Sequence, residues 1–480
     1  MNYRMVFSMI GRLLMLEAGL LLLPAACSAI YGESSVVALL ISAAIALVLG
    51  GGLTLICRTK KQAIYAKEGF VIAALSWIFL SAVGALPFVL SGEVPSYIDA
   101  FFETVSGFST TGASVIADVS RLSQGILFWR SFTHWVGGMG VLVLMMALVP
   151  TGSGRTIHVM RAEVPGPIVG KLVPRLRDTA KILYLIYLGM TALQVVCLLV
   201  AKMPLFESLL ITFGTAGTGG FGVTASGCAA YTAAQQWIIT VFMLLFGINF
   251  NIYYLLLLRA FRPVATSREL WVYGGVFVVS TGIITANVMS MFDSFGEGLR
   301  HSAFTVASVV TTTGFATVNF NEWPGLSRSI IFVLLFVGGC AGSTAGGLKI
   351  SRVMLLFKTV GRELKRLVHP RSVSVVRLEG KRVEETTVHS TAAYFILYFM
   401  LLFGGFLLIA WEDFSLETNL TAVITCLNNV GPGLGEVGPM GGFGGYSDFS
   451  KVLLSLIMLL GRLEIYPLVL ALMPATWTKE

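Results

Sequence analysis

Glycine preceded by hydroxyl or amide side chains recurs four times in this chain. The segments are Ser109-Thr110-Thr111-Gly112, Gly217-Thr218-Gly219-Gly220, Thr311-Thr312-Thr313-Gly314 and Asn428-Asn429-Val430-Gly431. What they offer chemically is backbone carbonyl oxygen. A strand that shows successive carbonyls to one axis can replace the water shell of a cation. That geometry needs backbone angles forbidden to residues with a Cβ, and close approach of neighbouring chains, so glycine suits the turn. Two residues before each glycine stand Thr110, Thr218, Thr312 and Asn429, which supply a polar side chain each time. The second segment holds both Gly219 and Gly220, and Gly220 keeps the Thr-x-Gly-hydrophobic register. The candidate ion-binding residues are therefore Thr110, Thr111 and Gly112; Thr218, Gly219 and Gly220; Thr312, Thr313 and Gly314; and Asn429, Val430 and Gly431.

Each segment closes a half-apolar stretch, at 96–111, 204–218, 294–313 and 415–429. These stretches are too short and too polar to span a bilayer, and they fit half-helices that enter it and stop. Ser96 with Asp99 and Ser294 with Glu297 have capping-box spacing, and Pro204 suits a helix start. The C-terminal ends then bring partial negative charge to the midplane, which favours a cation there. Around them run apolar stretches of about 20 residues, the length of a membrane span. They cover 71–90, 126–149, 182–201, 237–258, 270–291, 329–339 continuing into 350–359, 391–411 and 452–473, after two more at 5–31 and 35–57. The expected fold is an all-α polytopic membrane protein with about ten crossings. Two leading transmembrane helices occupy 1–66. Four tandem helix–pore-helix–loop–helix repeats around a pseudo-fourfold pore follow at 67–160, 161–262, 263–382 and 383–480. The third has a broken second helix and a basic cytoplasmic segment.

Composition agrees with that architecture and excludes a soluble enzyme. Hydrophobic residues make up 56% and charged residues 12%, about half the charged share of a soluble domain. Leu23-Pro24-Ala25-Ala26-Cys27 looks like a lipoprotein cleavage site, but Arg12 and Glu17 interrupt the apolar region before it, so a helix that stays is expected. The six cysteines lack metal or disulfide spacing. The net charge of +8 is unevenly placed. Basic residues crowd Arg58–Lys67 (with Lys60 and Lys61), Arg155–Lys181 (with Arg161, Lys171, Arg175 and Arg177), Arg259–Arg268 and, most densely, 349–382. The glycine-loop connections carry Glu93, Asp99, Asp118, Glu207, Asp293, Glu322, Asp413, Glu436 and Asp448. Basic loops face the cytoplasm, which puts both termini inside and an acidic, cation-concentrating mouth outside. Charges that alternate with spans do not describe a nucleic-acid surface.

Residues 338–347 read Gly-Gly-Cys-Ala-Gly-Ser-Thr-Ala-Gly-Gly. Five glycines in ten residues do not hold a helix. No strand precedes this loop and no Gly-Lys-Ser/Thr follows, so a phosphate cradle is excluded. At membrane depth below the third glycine loop, it is a candidate gate through Gly338, Gly339, Gly342, Ser343, Thr344, Gly346 and Gly347. Arg462, inside the last span, is an intramembrane charge and so a functional candidate. It either projects into the pore or caps carbonyls of the 338–347 loop, and the two roles are compatible. Glu464 is two residues away, on another face. Arg130 and His134, one turn apart, are expected in structural roles near the outer interface.

Taken together, the four glycine segments, the broken third repeat and Arg462 resemble the TrkH/KtrB/HKT superfamily of potassium and sodium transporters. The two leading helices make the chain similar to its TrkH branch. The resemblance implies a selectivity filter at Gly112, Gly220, Gly314 and Gly431, with potassium bound at the filter residues as substrate and no cofactor. It implies that glycine at 112 goes with potassium, whereas serine there goes with sodium in some plant relatives. It also implies that 338–347 blocks the pore, that Arg462 holds cations back, and that the chain forms a homodimer on a cytosolic ring of nucleotide-binding, TrkA-like subunits. The expected function is potassium uptake across the bacterial inner membrane, with the basic 349–382 segment as a docking surface. The alternative is a secondary transporter coupling potassium or sodium to a proton or second cation. Such carriers use core carboxylates and inverted repeats, whereas here the repeats run one way and the midplane residues are glycine and threonine. An enzyme is not expected, since HExxH, GxSxG and His/Asp clusters are missing from the spans.

Overall fold

In hydrocarbon every backbone N–H and C=O must pair within the chain, so spanning segments become helices. The computed structural model describes residues 1–58, 66–141, 143, 176–224, 226–371 and 374–477. Lys60, Lys61, the basic residues Arg155, Arg161, Lys171 and Arg175, the end of the 126–149 span and the 160/161 repeat boundary lie outside them. Among the described residues, six helices are long and apolar enough to cross a membrane alone: Tyr3–Tyr31, Ser35–Ile56, Lys67–Leu90, Thr179–Val200, Arg268–Met291 and Glu385–Ile409. The first two lead, and the other four each open a repeat.

Each opening helix is followed by a half-helix: Tyr97–Phe108, Leu205–Gly217, Phe295–Val310 and Leu416–Asn428. Ser96, Ser294 and Ser415 start three of them by accepting a backbone N–H three residues on, at 3.3, 3.2 and 3.2 Å. Pro204 precedes the fourth, where its missing N–H costs nothing.

The helices that close the repeats are the ones the apolar lengths misjudge. The uninterrupted span expected over 237–258 is two helices, Ala233–Phe246 and Phe250–Leu257, meeting at 90°. Glycine at 247 weakens the helix, and Asn249 starts a new one by accepting the Asn251 N–H at 2.9 Å. In repeat three the helix stops at Leu334, short of the expected 339, and resumes as Ile350–Val368. In repeat four Asp448–Arg462 gives way to Tyr466–Leu472 through Glu464 and Ile465, both at positive φ. Repeat one's closing helix runs over Gln124–Gly138.

Each half-helix packs between the opening and closing helices of its own repeat. The closing helices of repeats one, two and four also pack on the half-helix of the next repeat, the fourth returning to the first. At the remaining seam Arg328 pairs with Glu417 at 2.5 Å, and Lys451 of repeat four pairs with Asp99 at 2.6 Å. On the basic side, a hairpin of Arg377–Leu378 with Lys381–Arg382 turns at Glu379. The Glu379 carboxylate accepts the N–H groups of Arg268 and Glu269 and so caps the third opening helix.

The two leading helices touch through glycine. A Cβ on Gly11 would stand 2.6 Å from the Gly50 carbonyl oxygen, and one on Gly50 would stand 2.5 Å from that of Gly11. In lipid, where apolar burial between helices adds little, such close backbone approach is what holds a pair. Gly50→Val is therefore expected to push the pair apart and to destabilise the protein by about 1–3 kcal/mol, the usual cost of overpacking. A lowered thermal midpoint in detergent would show it, and an unchanged midpoint would remove this contact from the fold's supports.

Candidate functional site

All four half-helices end in one way. The residue after the last turn is left-handed: Thr110 at φ 57°, Thr218 at 55°, Thr312 at 55° and Asn429 at 54°. The N–H of the following residue reaches back five positions, from Thr111 to Ser106, Gly219 to Gly214, Thr313 to Ser308 and Val430 to Thr425, at 2.8–2.9 Å. This is the Schellman ending, which normally takes glycine at the left-handed position. Threonine there is an outlier for a β-branched residue, at a cost of about 1–3 kcal/mol each. Three of the side chains offset that cost with bonds that glycine could not make. Asn429 Nδ2 donates to Thr111 Oγ1 and to the Met458 carbonyl, both at 2.9 Å. Thr218 Oγ1 donates to the Gly217 carbonyl at 2.6 Å, and Thr312 Oγ1 accepts the Gly346 N–H at 2.6 Å.

Two residues further on, Gly112, Gly220, Gly314 and Gly431 have φ of 79°, 76°, 86° and 96°. Gly220, and not Gly219, occupies the equivalent place in the second loop. A Cβ on Gly112 would lie 1.9 Å from the Gly219 carbonyl oxygen. On Gly220 it would lie 1.9 Å from that of Thr313, on Gly314 2.4 Å from that of Val430, and on Gly431 2.7 Å from that of Thr111. Each glycine thus faces the carbonyl just before the next repeat's glycine, and the contacts close in a ring of four. Next to the ring is a cavity of about 150 Å³ that all four glycines line, together with Ser114 and Phe315.

The 338–347 loop lies against the loops of repeats three and four. Besides the Gly346–Thr312 bond, a Cβ on Gly346 would meet the Asn428 carbonyl oxygen at 2.5 Å. Gly338 and Gly347 form its neck, where the Gly338 N–H bonds the Leu348 carbonyl at 2.9 Å, and Gly339 and Gly342 pack beside Gly247 and Asn249. The loop also fills the break in repeat two's closing helix. The Cys340 N–H bonds the Gly247 carbonyl, the Phe250 N–H bonds the Gly342 carbonyl, both at 3.0 Å, and Thr344 Oγ1 donates to the Phe246 carbonyl at 3.2 Å. Ser343 Oγ donates to Cys340 within the loop. A broken helix leaves orphan backbone groups, and here the loop satisfies them.

Arg462 reaches the same place from repeat four. Its Nη1 donates to the Thr344 carbonyl at 3.0 Å, and Nη2 to those of Gly137 and Gly138 at 2.5 and 2.6 Å. It therefore caps the C-terminus of repeat one's closing helix and ties the loop to it through the Thr344 carbonyl. Glu464 pairs instead with Arg352. Lys349, read from sequence as the start of the basic docking segment, is instead buried and donates to the Ala345 carbonyl, and Glu269, which sequence reasoning passed over, accepts the Ala341 N–H at 2.8 Å.

Arg130 and His134 are both buried, 2% and 0% exposed, and both bond the second glycine loop. His134 Nδ1 bonds the Gly107 carbonyl at 2.8 Å and Nε2 takes the Phe221 N–H at 3.3 Å, so the two partners require a proton on Nδ1 and a bare Nε2. Arg130 pairs with Glu103 at 2.6 Å. Glu103 was missed in the sequence. Its signal was there, as an acidic residue in the middle of an apolar half-helix.

The comparisons with known proteins cover this whole arrangement. The model of the TrkH cation transport protein family matches residues 36–271 and 276–478. The Trk system potassium uptake protein TrkH of Salmonella typhimurium is 35% identical over 487 residues, covering 99% of this chain and 100% of the relative. The TrkG protein of Escherichia coli is 33% identical over 99% of both chains. The crystal structure of the potassium transporter TrkH from Vibrio parahaemolyticus superposes with a TM-score of 0.89 over the full length of both chains at 32% identity. By family match and by full-length identity, this multi-pass membrane chain belongs to the TrkH family of cation transport proteins.

Proposed function

We propose that the chain is a potassium uptake pore of a bacterial inner membrane, with both termini in the cytoplasm. The observation that carries this reading is the closed ring in which each loop glycine faces the carbonyl of the next repeat. Four carbonyls fixed at one level by four repeats suit a cation stripped of water, because dipoles held in place need no rearrangement when the ion arrives. The names borne by the relatives, potassium uptake proteins of the Trk system, support potassium as the ion. On this reading Thr110, Thr111 and Gly112, with their counterparts in the other three loops, form the filter. The four repeats are 67–160, 161–262, 263–382 and 383–480, behind the leading pair 1–66. The 338–347 loop is the gate, held shut by Arg462.

The chain works as a homodimer with a cytosolic nucleotide-binding regulatory subunit. Support for a partner comes from the relatives' description as parts of a system, and from the basic helix Ile350–Val368, which follows the loop directly.

The direct test is flux into liposomes holding the purified protein under an imposed potassium gradient, with rubidium, sodium and lithium as competitors. Rubidium and potassium are expected to enter down the gradient and sodium and lithium to be excluded. Uptake that requires an opposing proton gradient would replace the pore with a coupled carrier. Two variants examine its parts. Gly112→Ser is expected to lower potassium-over-sodium discrimination about tenfold or more, the consequence of ~1.4 kcal/mol at one binding level; unchanged discrimination would reject the filter register. Arg462→Ala removes one bond to the loop and two to repeat one and is expected to raise rubidium flux several-fold without regulatory subunit, and parental flux would reject the gate.

A further inference from the structure

The inner side of the glycine ring is fixed by the loops' own contacts, but the strands leaving it must be held from behind. At the seam between loops one and two this is done by a buried ion pair. Glu103 lies on the first half-helix and Arg130 on the closing helix of the same repeat, and their side chains are 0% and 2% exposed. The Glu103 carboxylate accepts Arg130 Nε at 2.6 Å, Ser114 Oγ at 2.9 and 3.2 Å, and the Val115 N–H at 3.1 Å. The remaining fork of Arg130 divides between the two loops: Nη2 donates to Ser114 Oγ at 3.2 Å and Nη1 to the Gly222 carbonyl at 3.0 Å. Ser114 and Gly222 hold the same offset, two residues past Gly112 and Gly220. The guanidinium also lies 3.6 Å from the centre of the Phe221 ring. A single rigid, planar group therefore spans equivalent points of adjacent loops. Two ion pairs that join half-helices to neighbouring repeats are more exposed, Arg328–Glu417 at 34% and 43% and Lys451–Asp99 at 7% and 27%.

Resting on the filter reading, we propose that Glu103 and Arg130 are positioning residues for ion selectivity. They set the separation of loops one and two, and with it the fit of the carbonyl ring to potassium over sodium. The spacing is fixed by the planar guanidinium, whose three nitrogens bond Glu103, Ser114 and the Gly222 carbonyl at once, a fork that lysine cannot reproduce. Deleting either charge outright would strand its partner in a dry site, so informative variants keep the charge or leave the pair intact. Arg130→Lys keeps the cation and loses the fork. Ser114→Ala keeps both ions and removes the hydroxyl they share. Arg328→Lys makes the same chemical change at the more exposed seam between repeats three and four.

The experiment is rubidium and sodium influx into liposomes for these three variants, the parent and Gly112→Ser, with the thermal midpoint of each protein measured alongside. Arg130→Lys is expected to cut potassium-over-sodium discrimination about tenfold, as one charge-assisted hydrogen bond lost at the loops would. Ser114→Ala should cut it by a smaller factor, while Arg328→Lys keeps the parental ratio even where its midpoint falls. Parental ratios in Arg130→Lys and Ser114→Ala, with Gly112→Ser altered, would overturn the positioning role and leave the filter standing. A parental ratio in Gly112→Ser as well would overturn both. If Arg130→Lys does not fold, the ratio of Ser114→Ala decides, and a parental value there rejects the proposal.

Discussion

The rest of the molecule is arranged around one steric constraint: four α-carbons at which a Cβ would press on the carbonyl oxygen of the neighbouring loop. For the contacts to close on themselves, the four loops must lie at one level and leave their helices at one angle. That requirement explains why four half-helices of different sequence share a single ending. It also explains why threonine is tolerated at a left-handed position three times over. The strain is local, the order it secures extends across all four repeats, and the bonds made by Thr218, Thr312 and Asn429 recover part of the cost.

What could be read from the sequence was what local rules decide. Glycines two residues after a polar side chain, serine caps at helix starts and apolar runs of spanning length each depend on a few neighbouring residues. The ring register, including Gly220 in the second loop, followed from matching four such units. The break at Gly247–Asn249 did not, because the groups it frees are paired by residues 340–344 of another repeat. Arg462 was visible as a charge out of place, but its partners Gly137 and Gly138 are bare carbonyls at the end of a distant helix, and carbonyls carry no sequence mark. Glu103 and Arg130 stood in plain view as charges in apolar segments. Setting Arg130 beside His134 by helical spacing concealed its partner on a different helix.

The four repeats are alike in backbone and unlike in how each is held. The first and second loops are joined from behind by Arg130, the fourth reaches the first through the amide of Asn429, and the third receives an N–H from Gly346. Four identical subunits would have to solve every seam identically. One continuous chain is free of that rule, so each repeat can break its closing helix in its own way, and one of them can fill the break of its neighbour.

The bonds made by the 338–347 segment have a consequence for any movement it makes. Withdrawal would expose the carbonyls of Phe246 and Gly247, the N–H of Phe250, the hydroxyl of Thr312 and the guanidinium of Arg462 at a depth where lipid offers nothing in exchange. Only water can take over all of these bonds at once. On the proposed reading of this segment as a gate, displacement of the loop and wetting of the passage would be a single event, with a half-withdrawn, dry intermediate the costliest arrangement. A gate built this way would switch abruptly between dehydrated and flooded states, with hydration supplying much of its cooperativity.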